Sequence, residues 1–207
     1  MAWAKRAANA LKINISTKII DFDEAYEIIK NVSRILKSDH PVKVGIGCTL
    51  YSVFEIMKND GLSHAVTGLG SDTLFCGFEK HRKAFLNKEL KKECLKGIKS
   101  IYENDVKRDL RIAKEFNLNL ICPFLDKNLI SYVMKIKPEL KINKEEKKII
   151  LREPALSMGL RKDFAFRKKL AAQYGSGFDK AIEVFAKENC FKFKREFLAS
   201  LLKNKFI

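Results

Sequence analysis

Val66-Thr67-Gly68-Leu69-Gly70-Ser71-Asp72-Thr73-Leu74-Phe75-Cys76-Gly77-Phe78 reads as a glycine-punctuated turn between a short apolar strand and an amphipathic helix, with one carboxylate at its mouth. Small residues let backbone N–H groups approach an anion, and a helix N-terminus presents partial positive charge to it. An Asp in that place can hold the Mg²⁺ that accompanies a polyphosphate. The turn is therefore expected to be a nucleotide-phosphate and metal corner. A purely structural role is open for Asp72 as the N-cap of a helix beginning at Thr73, and the two roles are compatible. No second glycine-rich phosphate loop lies upstream. The chain has no Gly-Gly pair, and Gly45-Ile46-Gly47 and Gly175-Ser176-Gly177 lack a following Asp-Ser.

Around this turn the pattern alternates strand and helix. Residues 3–11 predict a helix, and Ile13 to Ile20 alternates as a strand. Asp23 to Leu36 predicts a helix with Asp21 or Asp23 as N-cap. After a turn at Ser38-Asp39-His40-Pro41, Val42 to Gly47 suits a short strand or an extended turn. Thr49 to Lys58 predicts a helix, Asn59-Asp60-Gly61 stops it, and Ser63 to Thr67 forms a short buried strand. From about residue 78 the pattern is almost wholly helical, at 80–103, 105–116, 126–135, 144–159 and 178–204. Turns fall at Pro123 and Pro138, and Pro154 is placed to kink or end a helix.

That order predicts an α/β fold, a parallel sheet with helices on its faces followed by a mostly α-helical lobe. Residues 1–82 are expected to be a partial nucleotide-binding region and 83–207 the helical region. In such sheets ligands sit outside the carboxyl ends of the strands, where the Gly68 to Asp72 turn lies.

Composition sets outer limits. With 207 residues and 46% hydrophobic content the chain can bury a core and is not of disordered type. The 41 Lys and Arg against 25 Asp and Glu give a formal charge of +16, which favours polyanionic ligands such as nucleotides or nucleic acid. Most of the lysines are dispersed through helical segments, so a solvated surface explains them better than a dedicated nucleic-acid groove. Cys48, Cys76, Cys94, Cys122 and Cys190 make an odd set without a CxxC pair, as expected of buried free thiols. No stretch approaches the roughly 18 apolar residues of a membrane span, and Met1 to Ala8 lacks a secretory pattern, so a soluble cytoplasmic protein is expected.

The central turn resembles the S-G-x-G-(A/S)-D-E-L-F-G-G-Y motif of the synthetase domain of asparagine synthetases. Three further segments follow in the family's order. Arg108-Asp109 followed by Cys122-Pro123-Phe124-Leu125-Asp126 is similar to its R-D and P-F-L-D segments, and Lys148-Ile149-Ile150-Leu151-Arg152 to its K-x-x-L-R helix. Gln173-Tyr174-Gly175-Ser176-Gly177, after Arg167-Lys168-Lys169, is similar to the Q-(F/Y)-G-S loop of asparagine-synthetase-related proteins.

The resemblance implies an adenine-nucleotide-hydrolase-like sheet and an AMP-forming reaction with ATP and Mg²⁺. A substrate carboxylate, aspartate in the family, attacks the α-phosphate, pyrophosphate leaves, and ammonia converts the acyl-adenylate to an amide. It further implies Asp72 as the Mg²⁺ ligand, with Thr67, Gly68, Gly70, Ser71, Gln173, Tyr174 and Gly175 at ATP. Lys168 or Lys169 would neutralise the phosphates, and Arg108, Asp109, Asp126, Lys148 and Arg152 would support the site. Asp126 is expected to act chiefly as a helix N-cap and Asp109 as an ion-pair partner. The run Lys144-Glu145-Glu146-Lys147-Lys148 reads as a solvated helix face, Lys148 alone being of functional interest.

Ala4 to Leu11 and the stretch to Ile20 resemble the helix and third strand that follow the family's S-G-G-x-D-S loop, a motif not found in this sequence, and with Ala rather than Cys at residue 2 no glutaminase domain is expected. Leu69 and Thr73 stand where the family carries acids, and an apolar side chain cannot relay a proton or hold a metal. A sheet without its first two strands would leave unpaired edges. The expectation is a split or truncated enzyme, completed by a partner chain that supplies the loop, unless the chain has rearranged or is a piece of a longer protein. A nucleotide-binding or RNA-associated relative without catalysis is the alternative.

Overall fold

A computed structural model describes residues 2–168 and 171–203. Its helices are α1 (Ala2–Leu11), α2 (Phe22–Leu36), α3 (Pro41–Asn59), α4 (Ser71–Leu74), α5 (Glu79–Leu86), α6 (Leu90–Ile101) and α7 (Lys107–Glu115). They continue as α8 (Lys127–Val133), α9 (Ile149–Ser157), α10 (Lys162–Ala165), α11 (Ala172–Gly175), α12 (Phe178–Glu188) and α13 (Lys194–Lys203). Two short strands, β1 (His64–Val66) and β2 (Asn119–Ile121), pair in parallel. The Asn119 N–H donates to the Ser63 carbonyl at 2.9 Å and the Thr67 N–H to the Ile121 carbonyl at 3.0 Å. The architecture is thus α/β with helices predominating. No helix among the described residues is long and apolar enough to cross a membrane.

The chain divides into two units, neither of them continuous in sequence. One contains residues 16–65, 107–120 and the described part of the C-terminal segment. Here Asp21 accepts from the Glu24 N–H at 2.9 Å and caps α2, whose buried face is Ala25, Ile28, Ile29, Val32 and Leu36 at helical spacing. The helix ends at Lys37, which is left-handed with φ 48°. Val44, Cys48 and Phe54 of α3, Ile112 and Ala113 of α7, and Ile182, Phe185, Phe197 and Leu198 of α12 and α13 complete this core.

The stretch 42–47 is neither strand nor turn, because it belongs to the continuous helix α3, begun by Pro41 at its first position. Its glycines serve helix packing. A Cβ at Gly47 would lie 2.8 Å from Val32 Cγ1, and one at Gly45 would lie 2.9 Å from Gln173 Cβ.

The other unit contains residues 2–15, 66–106 and 121–168. One apolar cluster gathers Leu74, Phe75 and Val133 with Ile98, Phe124, Leu129, Ile130, Ile150 and Leu151 around them. A second gathers Cys76, Leu90, Cys94 and Ile142, with Phe85 and Met134 packed against it.

Several expected elements differ. The stretch 13–20 is irregular, with Ile13 59% and Ile19 82% exposed. Its alternation of apolar residues finds no paired neighbour, and extended backbone without a ladder has nothing to hold it as a strand. The expected 80–103 helix is broken between α5 and α6, where Lys88 takes φ 58°. The expected 178–204 helix breaks after Glu188, with Cys190 at φ 60°. The 105–116 helix begins as a π-helical turn, Tyr102–Val106, before α7.

The expected 144–159 helix starts only at Ile149. Ile142 and Lys147 form an antiparallel bridge, and the Asn143 side chain accepts from the N–H groups of Glu145 and Glu146 at 2.9 and 2.6 Å. Pro154 lies inside α9 rather than ending it.

Candidate functional site

The turn that opens α4 is shaped by Gly70. It lies at φ 96°, in the left-handed region where a side chain is strained, and a Cβ on it would stand 2.5 Å from Leu125 Cδ2 and 3.4 Å from Phe124 Cβ. Phe124 meets Phe75 edge-on at 5.8 Å between ring centroids. The P-F-L-D segment therefore seats the glycine turn from below. Its Asp126 caps α8, accepting from the Asn128 and Leu129 N–H groups, each at 2.9 Å. Within the turn, the Ser71 N–H donates to the Gly68 carbonyl at 3.2 Å and the Leu69 N–H to Thr67 Oγ1 at 3.3 Å. Gly68 is exposed, with open space where its Cβ would stand.

Asp72 lies in the first turn of α4, and its Oδ1 is 2.6 Å from Lys148 Nζ. The two side chains are 15% and 22% exposed. Lys148 reaches this place because the 142–147 hairpin delivers it to the N-cap of α9 in a left-handed conformation, φ 59°. A non-glycine residue held there stores strain. The hairpin itself is tied down, Lys147 to Glu79 at 3.1 Å and the Arg82 guanidinium to the Glu145 carbonyl at 3.1 Å. Burial, with the neighbouring Arg152 and Lys147 cations, pushes the Lys148 ammonium below its ordinary value.

The pair closes over Gly77. A Cβ there would fall 2.1 Å from Asp72 Oδ1 and 2.5 Å from Lys148 Cε. Gly77 carries no functional group, and its one signal in the sequence is its place in the motif. Arg152, one turn beyond Lys148, lies 3.6 Å from Glu146 and 5.3 Å from the Phe166 ring. Thr73 is buried, its Cγ2 2.6 Å from where a Cβ on Gly97 would stand, so this position packs onto α6. Lys168 is exposed, and Lys169 lies outside the described residues.

The remaining expected site residues belong to the other unit. Arg108 Nε and Asp109 Oδ1 form a buried pair at 2.6 Å at the start of α7. Gln173, only 4% exposed, packs on α3 at Gly45, and its Oε1 has no hydrogen-bond partner among the described residues. Ser176 Oγ lies 2.9 Å from Thr49 Oγ1. Tyr174 is 54% exposed, and Gly175 is the last residue of α11.

An α/β chain with a glycine turn, an acid at the start of a short helix, and a lysine folded back onto that acid matches a known sequence profile. The profile of the asparagine synthase family matches residues 1–93 and 86–200, and the chain belongs to that family. A Methanocaldococcus jannaschii protein named as a glutamine-hydrolysing asparagine synthetase is 30% identical over 244 aligned positions, covering 100% of this chain and 45% of the relative. A Schizosaccharomyces pombe protein named likewise is 24% identical over 84% of this chain and 33% of its own length. One from Arabidopsis thaliana is 33% identical over 44% of this chain and 15% of its own. The chain thus spans under half the length of these relatives.

Proposed function

We propose that this chain carries the synthetase site of an ATP-dependent, AMP-forming amidation of a small carboxylate, aspartate by family likeness, with ammonia as the nitrogen donor. The observation that carries the reading is the Asp72–Lys148 pair at the glycine turn, 2.6 Å apart and mostly buried. It puts an anion able to hold a metal and a cation able to meet phosphate in one place.

Thr67, Gly68, Gly70 and Ser71 would present the turn to the nucleotide, with Gly68 open enough for close approach. Among the described residues no three His, Cys, Asp or Glu gather as a complete metal cage. Mg²⁺ commonly takes one or two carboxylates and completes its shell with phosphate and water. Asp72 would supply the carboxylate, and Lys148 would turn from it toward phosphate. When bound, the ion neutralises the polyphosphate and the departing pyrophosphate. Lys168 and Lys169 would add positive charge where the phosphates lie. Leu69 and Thr73, lacking carboxylates, leave Asp72 as the acid of this turn.

A partner chain bearing S-G-G-x-D-S is part of the proposal. Aspartate-dependent exchange of pyrophosphate into ATP is the test, run with this chain alone and with such a partner. Exchange is expected with the partner present and lost in Asp72→Asn. No exchange under either condition would defeat the reading, and a salt-sensitive tRNA shift in its place would favour the RNA-associated alternative.

A further inference from the structure

Two thiols lie side by side beneath the candidate site. Cys76 Sγ and Cys94 Sγ are 3.7 Å apart, both fully buried in the cluster with Leu90 and Ile142. Cys94 sits on α6, and Cys76 follows α4 in a left-handed conformation, φ 64°, one residue before Gly77. The two segments approach closely where Thr73 packs on Gly97, on which a Cβ would lie 2.6 Å from Thr73 Cγ2. We propose that Cys76 and Cys94 are a redox modification site, closed by a peroxide into an intramolecular disulfide that ties the Asp72 turn to α6.

The surroundings favour the chemistry. The thiolate is the reacting form, and nearby positive charge promotes it. Lys141, itself buried, donates from Nζ to the Val133 carbonyl at 3.2 Å and lies close enough to favour the anion on both sulfurs. The hydrogen bond from Cys76, with help from Lys141, holds the Cys94 thiol below its ordinary value, while that same contact and burial push Cys76 up.

The thiolate of one cysteine attacks one oxygen of hydrogen peroxide, the O–O bond breaks, and the departing hydroxide takes up the proton that this thiol released, giving its sulfenic acid. The other thiol then attacks the sulfenyl sulfur, the S–O bond breaks, and the departing hydroxide takes that thiol's proton. Two thiols are oxidised to one disulfide and the peroxide is reduced to two waters. A disulfide needs its sulfurs about 2.05 Å apart. Bond formation requires the two sulfurs to approach from 3.7 Å. Because both sulfurs are buried, peroxide reaches them through local opening, so the reaction is expected to be slower than at exposed Cys190.

The test is thiol mapping of the native chain after peroxide treatment, alkylation and digestion. The expected result is a linked Cys76–Cys94 peptide, restored to free thiols by reductant, within single chains. In Cys94→Ser the Cys76 thiol should remain alkylatable, and near-UV circular dichroism shows whether that variant keeps its fold; if it does not, the wild-type map decides alone. Amide exchange between Ser71 and Phe78 is expected to slow at least about tenfold in the oxidised chain. Both thiols remaining alkylatable after Cys190 is fully oxidised, a sulfinic acid at Cys76 or Cys94 without the linked peptide, or unchanged exchange after linkage would each overturn the proposal.

Discussion

Lys148 Nζ meets Asp72 Oδ1 at 2.6 Å directly above Gly77, where a Cβ would fall 2.1 Å from that same oxygen. The glycine is therefore required by its neighbours, since its own backbone does not lie in the left-handed region. Gly77→Ala must drive the carboxylate and the lysine apart or shift the segment that follows α4. Overpacking of this kind costs about 1–3 kcal/mol. Urea unfolding of Gly77→Ala is expected to show that loss, and a variant as stable as the wild type would mean that the pair does not close there.

Gly68 is the contrasting case. Nothing lies within 4 Å of where its Cβ would stand. Gly68→Ala should leave stability within about 0.5 kcal/mol of wild type. Weaker binding of Mg·ATP in this variant, measured by calorimetry, is expected if the nucleotide approaches the turn here, and unchanged binding would remove Gly68 from the site.

His81 makes stability depend on pH. It is fully buried on α5, its Nδ1 accepts from the Phe78 N–H at 3.3 Å, and its Nε2 has no partner among the described residues. Burial first, then the Lys80 cation, lowers its pKa from 6.5 to about 4. The unfolded chain thus takes up a proton that the folded chain refuses. Stability from this group is fully present above about pH 6.5 and is lost as pH falls toward 4, by about 3 kcal/mol in all at roughly 1.4 kcal/mol per pH unit. Asp39, Glu79, Glu93 and Glu183, with lowered carboxyl pKa values, act at more acid pH. Denaturant melts between pH 7 and 4 should show the slope in wild type and a flatter curve in His81→Leu; equal slopes would exclude His81 as the cause.

The turn and its acid were legible where one residue's chemistry suffices. Gly70 and Asp72 announce a turn and an acid whatever surrounds them. The Lys148 contact was not, because it depends on a left-handed turn at a lysine and on a hairpin whose only marker, Asn143, is hidden before a Lys- and Glu-rich run of helical character. Glycine misled in the opposite sense at 45 and 47, where it opens space between helices, and turn statistics cannot see a neighbour brought from elsewhere in the chain. β2 was missed because three residues carry too little alternation to read. The 13–20 stretch was over-read because a strand pattern specifies a face and leaves open whether a partner edge exists.

Asp126 separates cap from chemistry. Its carboxylate is committed to two N–H groups of α8, each at 2.9 Å. Asp126→Ala is expected to lose about 1 kcal/mol, the usual worth of an N-cap, and Asp126→Asn much less. If both variants lost pyrophosphate exchange while keeping their stability, Asp126 would have to touch substrate.

Gln173 carries the opposite signature. Its side chain is buried, and its Oε1 is unpartnered among the described residues, a state that costs about 1–3 kcal/mol in a protein interior. A residue kept for packing alone at Gly45 would be better served by methionine, which has nearly the same shape and no polar atom to satisfy. Gln173→Met should therefore raise stability by about 1 kcal/mol in urea melts. If the oxygen is held for a ligand, the gain comes with weaker nucleotide binding, since the more stable variant has lost the acceptor. A destabilised Gln173→Met would show instead that Oε1 is satisfied in solution and that its burial is structural.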